Sequence, residues 1–441
     1  MNGNQIPIAV ELALAAANKR IVIYAGAGLS LAEPTGLPDG PEVAQRCYNR
    51  LLTSLGPAAL AGADKSDLTS VADTIASNTS QPDLARFAAL KAARFKNAQP
   101  NYGHEILALL LLEGHVVVFT TNWDNCIERS TRAEQIPTIV TDIDHQQIES
   151  PALFKVHGCA TQPLSALVTS EELRSPPTWV RDEVNARLTR THTTFVGVGE
   201  VAKPIRIRIQ EAETAIGSFG RIVVVAPEIE DSWASSNWAQ ILQNPANSHP
   251  VSETADRFLD NLAAACIRRI LDDIAEALAD DVGSSEMFAK TRSSFESQTA
   301  LKALRWLRAC GVPRESGVSV MHQQAFAKAM IALGMLAATD DLWFDADGRV
   351  ETVDGDVSVL VAVGSVSASE MRRQARVRSI AQVSDGKNSG IPRFLLAGAL
   401  GRVDADDLFP IDVTGNFDRN DIFDGPMAIT PVLSYAEDLL A

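Results

Sequence analysis

The hydrophobic pattern of residues 1–282 alternates short apolar runs with longer periodic stretches. A continuous apolar run is typical of a strand buried on both faces of a parallel sheet, whereas apolar residues recurring every three or four positions indicate an amphipathic helix. The predicted strands are 21–25, 116–121, 137–142, 153–156, 193–198 and 221–225. Their alternation with helices predicts an α/β fold built on a doubly wound, Rossmann-like parallel sheet.

The predicted helices lie between these strands. They cover residues 8–19, 102–113, 126–132, 165–190 (interrupted by Pro176-Pro177), 204–214 and 253–280. Residues 41–96 do not follow the alternation, because they are helical with glycine and polar interruptions and precede the second strand. We therefore expect a small helical lobe inserted into the α/β domain.

A polar, glycine-containing stretch at 281–298 is the best candidate for a linker. It divides the chain into a domain of residues 1–282, a linker of residues 283–299 and a C-terminal region of residues 300–441. Helices at 300–310 and 322–338, a hairpin around Asp345–Gly348 and a strand at 357–363 predict that this region is an α+β accessory domain for assembly or regulation. A helix followed by a hairpin also loosely suggests a winged-helix piece. We recognise no catalytic constellation there.

The composition is that of an ordinary globular protein. The 441 residues suggest two or three domains, and 46% of them are hydrophobic and 21% charged. No apolar run reaches the ~20 residues that a membrane-spanning helix needs, so no membrane association is expected. The five cysteines are scattered without a Cys-x-x-Cys pair, which favours a reducing cytoplasm and argues against disulfides and a four-thiolate zinc site.

The net charge of −16 argues against a large surface for nucleic acid, since non-specific affinity for phosphates comes from clustered lysine and arginine. The local exception is a basic group, which we interpret as a solvated helix face: Arg372, Arg373, Arg376, Arg378 and Lys387. Direct binding of nucleic acid is therefore not expected.

Polar or glycine-rich segments follow four of the predicted strands. The first is Gly26-Ala27-Gly28-Leu29-Ser30, and the others contain Asn122, His157 and Gly197. Ligands of open α/β sheets bind beyond the carboxyl ends of the strands, so one cleft could gather all four segments. Backbone N–H groups from Gly26 to Leu29, at a helix N-terminus, would bind a phosphate. Taken alone, this loop is equally consistent with a tight turn after a core strand.

Together these segments resemble the sirtuin-like NAD-binding domain. The motifs occur in the family's order: Gly-Ala-Gly-x-Ser at 26–30, Gly-x-Pro-Asp at 36–39, Thr-x-Asn-x-Asp at 120–124, His-Gly at 157–158 and a late glycine turn at 197–199. The resemblance covers the predicted α/β domain and implies that NAD is bound as a substrate. Protein-deacetylating sirtuins contain a zinc module that the scattered cysteines do not provide, so no zinc is expected.

The resemblance implies a set of NAD-binding residues. They are Gly26, Ala27, Gly28, Ser30, Asp39, Asp124, Gly197 and Gly199. Ser30 would add a hydroxyl donor to the pyrophosphate, and Asp39 corresponds to an acidic residue near the nicotinamide amide. Asp124 would bind a ribose hydroxyl or cap the next helix. Two departures from the family are Gly40-Pro41 in place of Phe-Arg, and Gly199 in place of a serine.

The implied catalytic residues are Asn122 and His157. An asparagine amide donates and accepts hydrogen bonds at once, so Asn122 would orient a ribose hydroxyl or a water molecule; the alternative is an Asx turn that caps the next helix. His157 would be the general base, because imidazole titrates near neutral pH, although a lone histidine is more often structural. His104, just before a helical pattern, is expected to be structural.

The leading hypothesis from the sequence is an NAD glycohydrolase that transfers ADP-ribose to water. The chain is similar to zinc-free bacterial effectors of anti-phage defence, which implies activation by oligomerisation or by a partner such as a HerA-like ATPase, a nuclease or a phage component. One alternative is a divergent protein deacylase or ADP-ribosyltransferase. Another is a non-catalytic sensor of NAD or ADP-ribose that scaffolds a complex.

Overall fold

The computed structural model describes most of residues 21–310 and isolated stretches outside them. Within that range the residues not described are 82, 132–135, 147–151, 189–191, 200–205, 208, 211–212, 214–221, 245–247, 280–281 and 297. Outside it the described residues are 8–9, 12, 327–331, 342–344, 350–352, 357–363, 391–397 and 432–435. The predicted helices at 8–19, 204–214 and 322–338 and the basic group at 372–387 therefore lie largely or wholly outside the described residues.

Seven parallel strands form the first sheet. They are β1 (Ile21–Ala25), β2 (Val117–Thr120), β3 (Thr138–Ile139), β4 (Leu153–Lys155), β5 (His192–Val196), β6 (Ile222–Val225) and β7 (Ser248–Val251). Their order is β3-β4-β2-β1-β5-β6-β7, and every pairing is parallel. The prediction of a doubly wound parallel sheet is confirmed. The chain changes direction across the sheet between β1 and β5, which is where sheets of this kind bind ligands.

Aromatic side chains form a row across the central strands. Tyr24 of β1 is in register with Phe119 of β2 and Phe195 of β5, and Phe119 is in register with Phe154 of β4. The ring centroids lie 6.0 Å apart for Tyr24 and Phe119, 5.2 Å for Tyr24 and Phe195, and 4.8 Å for Phe119 and Phe154. A shift of the register by one residue would turn each ring to the other face of the sheet. Packing of this row therefore fixes the register of the central strands and, with it, the relative positions of their carboxyl ends.

Thirteen helices have defined ends in the described residues. They are α1 (Gly40–Leu55), α2 (Leu68–Thr79), α3 (Asp83–Leu90), α4 (Tyr102–Leu112), α5 (Cys126–Arg129), α6 (Asp142–Gln146), α7 (Ser170–Arg174), α8 (Thr178–Leu188), α9 (Ile229–Ser232), α10 (Asn237–Ile241), α11 (Ala255–Ala277), α12 (Val282–Glu296) and α13 (Ala300–Ala309). The predicted helical lobe corresponds to α1–α3. These helices share a core that includes Val43, Cys47 and Ile75.

The chain divides into two compact units. One comprises residues 1–130 and 136–262, and the other comprises residues 131–135 and 263–441. The predicted linker at 283–299 differs from the structure, because most of it lies in α12. Phe288 and Phe295 of that helix are buried, and the Phe295 ring lies 5.2 Å from that of Trp306. Burial of these side chains means that the segment is a packed helix of the second unit, and the proposed limits of the domains, 1–282 and 300–441, stay predictions.

The second unit contains a five-stranded sheet. Its strands are β8 (Leu342–Phe344), β9 (Val350–Thr352), β10 (Val357–Val363), β11 (Ile391–Ala397) and β12 (Val432–Tyr435), in the order β12-β11-β10-β9-β8. β8 and β9 pair antiparallel, as the predicted hairpin requires, while β10, β11 and β12 pair parallel. The parallel strands make this sheet larger than the hairpin of a winged helix. Among the described residues, no helix is both long enough and apolar enough to span a membrane.

Candidate functional site at the carboxyl ends of the first sheet

The loops that follow β1 and β5 are joined backbone to backbone. The Gly26 N–H donates to the Val196 carbonyl at 2.9 Å, and the Gly28 N–H donates to the Gly197 carbonyl at 2.8 Å. The Leu29 N–H donates back to the Gly26 carbonyl at 3.0 Å. Three of the four N–H groups that the sequence assigned to a phosphate are therefore used within the protein. The exposed Ala27 is the only one of the four whose N–H has no acceptor among the described residues.

The glycines of this loop are explained by the same contact. A Cβ atom on Gly28 would lie 2.6 Å from the Gly197 Cα, and one on Gly26 would lie 2.7 Å from the Gly197 carbonyl oxygen. Gly197 has a φ of +64°, in the left-handed region that favours glycine. Close approach of the two backbones, rather than of a phosphate, thus accounts for glycine at these three positions. The segment after Gly26 is a four-residue 3-10 turn, Ala27–Ser30, and not the helix N-terminus that was predicted.

Ser30, the last residue of the glycine loop, is buried and belongs to a hydrogen-bond network. Its hydroxyl donates to Asp124 Oδ2 at 2.9 Å and lies 3.2 Å from His104 Nε2. Asp124 Oδ1 accepts from the Cys126 N–H at 3.0 Å, at the start of α5. In this structure the proton of Ser30 is held by Asp124, so a donation from Ser30 to a pyrophosphate would have to replace this hydrogen bond, and that contact stays a prediction. Asp124 lies one residue before the N-cap residue Asn125 and accepts the first N–H of α5, while its binding of a ribose hydroxyl stays a prediction.

His104 completes this network in its neutral form. The imidazole is fully buried, and the Asn101 N–H donates to its Nδ1 at 3.3 Å. Nε2 then carries the proton and donates to Ser30; this tautomer follows from the partners. Burial, opposed by Asp124 and assisted by Lys155, lowers the pKa of His104 to about 4. The expected structural role of His104 agrees with its place in the cap of α4, where Asn101 accepts from the His104 N–H at 3.1 Å.

Asn122 joins the network to the glycine loop. Its Nδ2 donates to the Gly26 carbonyl and to Ser30 Oγ, both at 3.1 Å. Both amide protons are thereby used, and Oδ1 has no hydrogen-bond partner among the described residues. Among the described residues the Asn122 side chain makes no hydrogen bond to the next helix, whose first N–H, that of Cys126, donates to Asp124. Asn122 is half-buried, so a ligand that donates a hydrogen bond could reach Oδ1.

His157 follows β4 and is half-buried. Its carbonyl accepts from Trp123 Nε1 at 2.9 Å and from the Leu167 N–H at 3.1 Å, while its ring has no hydrogen-bond partner among the described residues. Burial lowers the pKa of the imidazole to about 4. The sequence argument assumed titration near neutral pH; the lowered pKa keeps the imidazole in the neutral, proton-accepting form at pH 7 and makes it a weaker base than an ordinary histidine.

Asp39 and Gly199 lie at the edges of this arrangement. Asp39 is exposed and caps α1, where its Oδ1 accepts from the Glu42 N–H at 2.9 Å. No hydrogen bond in the described part of the chain joins it to Asn122 or His157. Gly199 is exposed, and a Cβ atom there would meet nothing within 4 Å. Hydrogen bonds thus link the glycine loop, Asn122, Asp124, Gly197 and the His157 turn, and no hydrogen bond among the described residues links Asp39 or Gly199 to them.

Sequence reasoning missed two residues of this region, Trp123 and Lys155. Lys155 ends β4, is 1% exposed, and its Nζ donates to the Asp124 carbonyl and to Glu128 Oε1, the latter at 3.1 Å. Burial opposes its charge, but Glu128, Cys159 and Asp124 raise the pKa of the ammonium group. A lysine at the end of an otherwise apolar run was the available signal, because a lysine is rarely fully buried without a charged partner.

Among the described residues, one group of side chains has the spacing of metal ligands. His104, Asp124 and Cys126 each offer an atom within 4.8 Å of the others. All three are buried, and His104 and Asp124 have hydrogen-bond partners in the network. Burial followed by the charge of Asp124 raises the pKa of the Cys126 thiol, which disfavours the thiolate that binds metals. These residues therefore fit a hydrogen-bonded interior better than a metal site.

The buried His104 makes a testable contribution to the pH dependence of stability. The unfolded chain takes up a proton near pH 6.5, whereas the folded protein does so only near pH 4. We therefore expect the free energy of unfolding to fall as the pH drops through this interval, by about 1.4 kcal/mol per pH unit from this group. Urea titrations between pH 4 and 7 measure it.

His104→Gln is the matched variant, because glutamine still suits this position of a helix cap and does not titrate. Between pH 6.5 and 4 the variant should lose less stability than the wild type, by about 3 kcal/mol. The other titrating groups are common to both proteins and cancel in the difference. A difference that stays constant across this pH range would show that His104 is not held neutral by the fold.

The fold places the chain in the class of doubly wound α/β domains. Its polar side chains and glycine loops lie at the carboxyl ends of the strands, near the point where the chain changes direction across the sheet. Residues 116–244 match the profile of the SIR2-like domain. The chain thus contains a SIR2-like domain, as the sequence predicted. The matched range includes Asn122, His157 and Gly197, while the Gly26 loop precedes it.

The comparison with curated proteins found no match. Among solved structures, a mutant Sir2 homologue in complex with ADP-ribose is 17% identical and covers 57% of this chain and 94% of its own, with a TM-score of 0.36. Sir2Tm bound to a propionylated peptide is 16% identical and covers 59% of this chain and 95% of its own, with a TM-score of 0.33.

Proposed function

We propose that the chain is an NAD glycohydrolase that cleaves the nicotinamide–ribose bond of NAD+. The observation that carries the proposal is a continuous set of hydrogen bonds along the strand ends. Gly26 is bonded to Asn122 at 3.1 Å, and Trp123, the next residue, is bonded to the His157 carbonyl at 2.9 Å. The three segments that the family resemblance assigns to NAD chemistry thus follow the adjacent strands β1, β2 and β4.

The chemistry available to these residues suits hydrolysis of this bond. When the bond breaks, its electron pair leaves with the nicotinamide and positive charge develops on the ribose. The free Oδ1 of Asn122 can accept a hydrogen bond from a ribose hydroxyl or from the attacking water, which orients it for reaction. A neutral His157 can accept the proton that the water loses as its oxygen bonds to the ribose carbon. The products are nicotinamide and ADP-ribose.

The acceptor distinguishes this proposal from a deacylase or an ADP-ribosyltransferase. Hydrolysis needs only water as the acceptor, whose proton His157 can take, whereas a deacylase or a transferase also needs an acylated peptide or an acceptor protein. Water is therefore the acceptor that we propose. A cyclised ADP-ribose remains a second form that the product could take.

The test is product analysis with purified protein. NAD+ is incubated with the protein alone, with an acetylated or propionylated lysine peptide, and with candidate partners, and nicotinamide, ADP-ribose and its cyclic form are separated by chromatography and mass spectrometry. We expect nicotinamide and ADP-ribose in equal amounts without any peptide. Release only in the presence of acyl peptide would identify a deacylase. Nucleotide binding without release in any assembly state would identify a sensor.

We further propose that the activity serves anti-phage defence and is switched on by oligomerisation or by a partner, with the C-terminal region as the control element. A cytoplasmic NADase that is always active would deplete its own cell. In cells that express the chain, the expected result is a normal NAD+ level until a trigger is present, then rapid loss. Loss of NAD+ that needs no trigger would contradict the control proposed for residues 300–441.

A further inference from the structure

Two side chains join the Asn122 turn and the His157 turn reciprocally. Trp123, from the first turn, donates its indole N–H to the His157 carbonyl at 2.9 Å. Lys155, two residues before His157, donates its ammonium group to the Asp124 carbonyl. The segment around Asn122 and the segment around His157 therefore each supply one side chain to a backbone carbonyl of the other. One carbonyl is that of His157, and the other lies two residues after Asn122.

Two backbone hydrogen bonds flank this pair. The Val156 N–H donates to the Thr120 carbonyl at 3.0 Å, and the Ala160 N–H donates to the Trp123 carbonyl at 2.8 Å. The first continues the ladder between β2 and β4, while the second lies beyond the strands, where no ladder constrains the chain. We call the four hydrogen bonds from Trp123, Lys155, Val156 and Ala160 the turn clamp.

Both donor side chains of the clamp, Trp123 and Lys155, also contact a second side chain. Lys155 Nζ pairs with Glu128 Oε1 at 3.1 Å, and Glu128 belongs to α5, whose first N–H, that of Cys126, donates to Asp124. The Trp123 ring packs edge-to-face against Phe95 with centroids 5.7 Å apart. Because these second contacts fix the positions of both donors, their hydrogen bonds restrict the movement of the two turns.

We propose that Trp123 and Lys155 are positioning residues that hold the Asn122 amide and the His157 ring at a fixed separation. The inference rests on the proposed hydrolase function. Neither residue is assigned a contact with substrate. They act through the carbonyls of His157 and Asp124, so their loss changes the geometry of the reacting groups and leaves those groups present. A misplacement of about 1 Å at a reacting centre can lower a rate by about 10²-fold.

The test uses variants that each remove one donor and little else. Trp123→Phe removes the indole N–H and keeps a ring, and Lys155→Met removes the ammonium group and keeps a chain of similar length. Trp179→Phe is the matched control, because the Trp179 indole N–H is buried and has no hydrogen-bond partner in the part of the chain that the structure describes. Lys155→Arg keeps the charge and should restore part of what Lys155→Met loses. Kinetics of NAD+ cleavage and hydrogen exchange of the backbone amides are measured on each protein.

The expected kinetic result is a fall in kcat of about 10- to 100-fold for Trp123→Phe and Lys155→Met, with KM for NAD+ changed less than about threefold. Trp179→Phe should keep the kcat of the wild type. The Ala160 amide should exchange faster in both clamp variants, while amides of β6 and β7 stay protected, which separates a local effect from general destabilisation.

Failure of the clamp and failure of the proposed function give different results. If the wild type cleaves NAD+ and the clamp variants do so with unchanged kcat, the positioning role is overturned. A parallel loss in Trp179→Phe, or faster exchange throughout the sheet, would overturn it in favour of a structural role. If the wild type does not cleave NAD+ in any assembly state, the hydrolase proposal fails, while exchange at Ala160 still reports whether the two side chains constrain the turns.

Discussion

Replacing His157 with glutamine should lower kcat/KM for NAD+ cleavage by about 10²- to 10⁴-fold, the range usual for loss of a general base. Glutamine keeps a polar side chain of similar size and cannot accept the proton of the attacking water. The backbone carbonyl of His157, which accepts from Trp123 and Leu167, is unchanged by the substitution, so the turn should keep its conformation. Nicotinamide release by purified variant and wild type measures the effect.

The pH profile gives this prediction a second readout. Burial lowers the pKa of His157 to about 4, so the imidazole is already deprotonated at pH 5 and above. The activity of the wild type should therefore stay nearly constant from pH 6 to 8 and fall only as the pH approaches 4. The residual activity of His157→Gln should lack this acidic fall. A wild-type profile that halves near pH 6.5 would contradict the lowered pKa, and full activity in the variant would remove His157 from the reaction.

The other large effect is expected for Gly197→Ala, on stability as well as on activity. Gly197 has a φ of +64°, and a Cβ atom there would lie 2.6 Å from the Leu29 nitrogen and 2.8 Å from the Gly28 carbonyl carbon. Both contacts are with backbone, which cannot move aside as a side chain can. We expect a loss of about 3 kcal/mol in the free energy of unfolding, from left-handed strain and separation of the loops after β1 and β5.

Urea unfolding of Gly197→Ala beside Gly199→Ala tests this expectation. A Cβ atom on Gly199 would meet nothing within 4 Å, so the control should unfold within about 0.5 kcal/mol of the wild type. The two substitutions add the same methyl group two residues apart, and only the first disturbs the hydrogen bond from Gly28 to Gly197. Equal stability of both variants would mean that the loops can separate without cost.

The architecture of the first sheet was readable from the sequence because its strands are continuous apolar runs that end at glycine or polar residues. Ile21–Ala25 and Ile222–Val225 are of this kind. β7, Ser248–Val251, was missed because it contains a serine, a histidine and a proline and has no apolar run. α12 was taken for a linker because its sequence is polar and contains a glycine, whereas its buried Phe288 and Phe295 indicate a packed helix.

The sequence indicated which segments lie together at the strand ends but not the hydrogen bonds between them. The order of motifs identified the glycine loop, Asn122 and His157, since each follows a strand. The partner of Ser30 is Asp124, 94 positions further along, and nothing in the local sequence indicates that this carboxylate would take the hydroxyl proton. For the same reason the hydrogen bond from Trp123 to His157, which spans 34 positions, was not foreseen. Long-range pairings of this kind depend on the register of β1, β2 and β4.

The hydrogen-bond network around Ser30 has a consequence for the proposed function. The Ser30 proton and both Asn122 amide protons are taken within the network, which leaves Asn122 Oδ1 as an acceptor, while Ala27 supplies the one N–H of the adjoining loop that has no acceptor among the described residues. A lone acceptor favours a hydroxyl group, and an N–H favours an anionic oxygen. If the chain binds NAD+ as we propose, we expect the ribose near Asn122 and the phosphates toward Ala27.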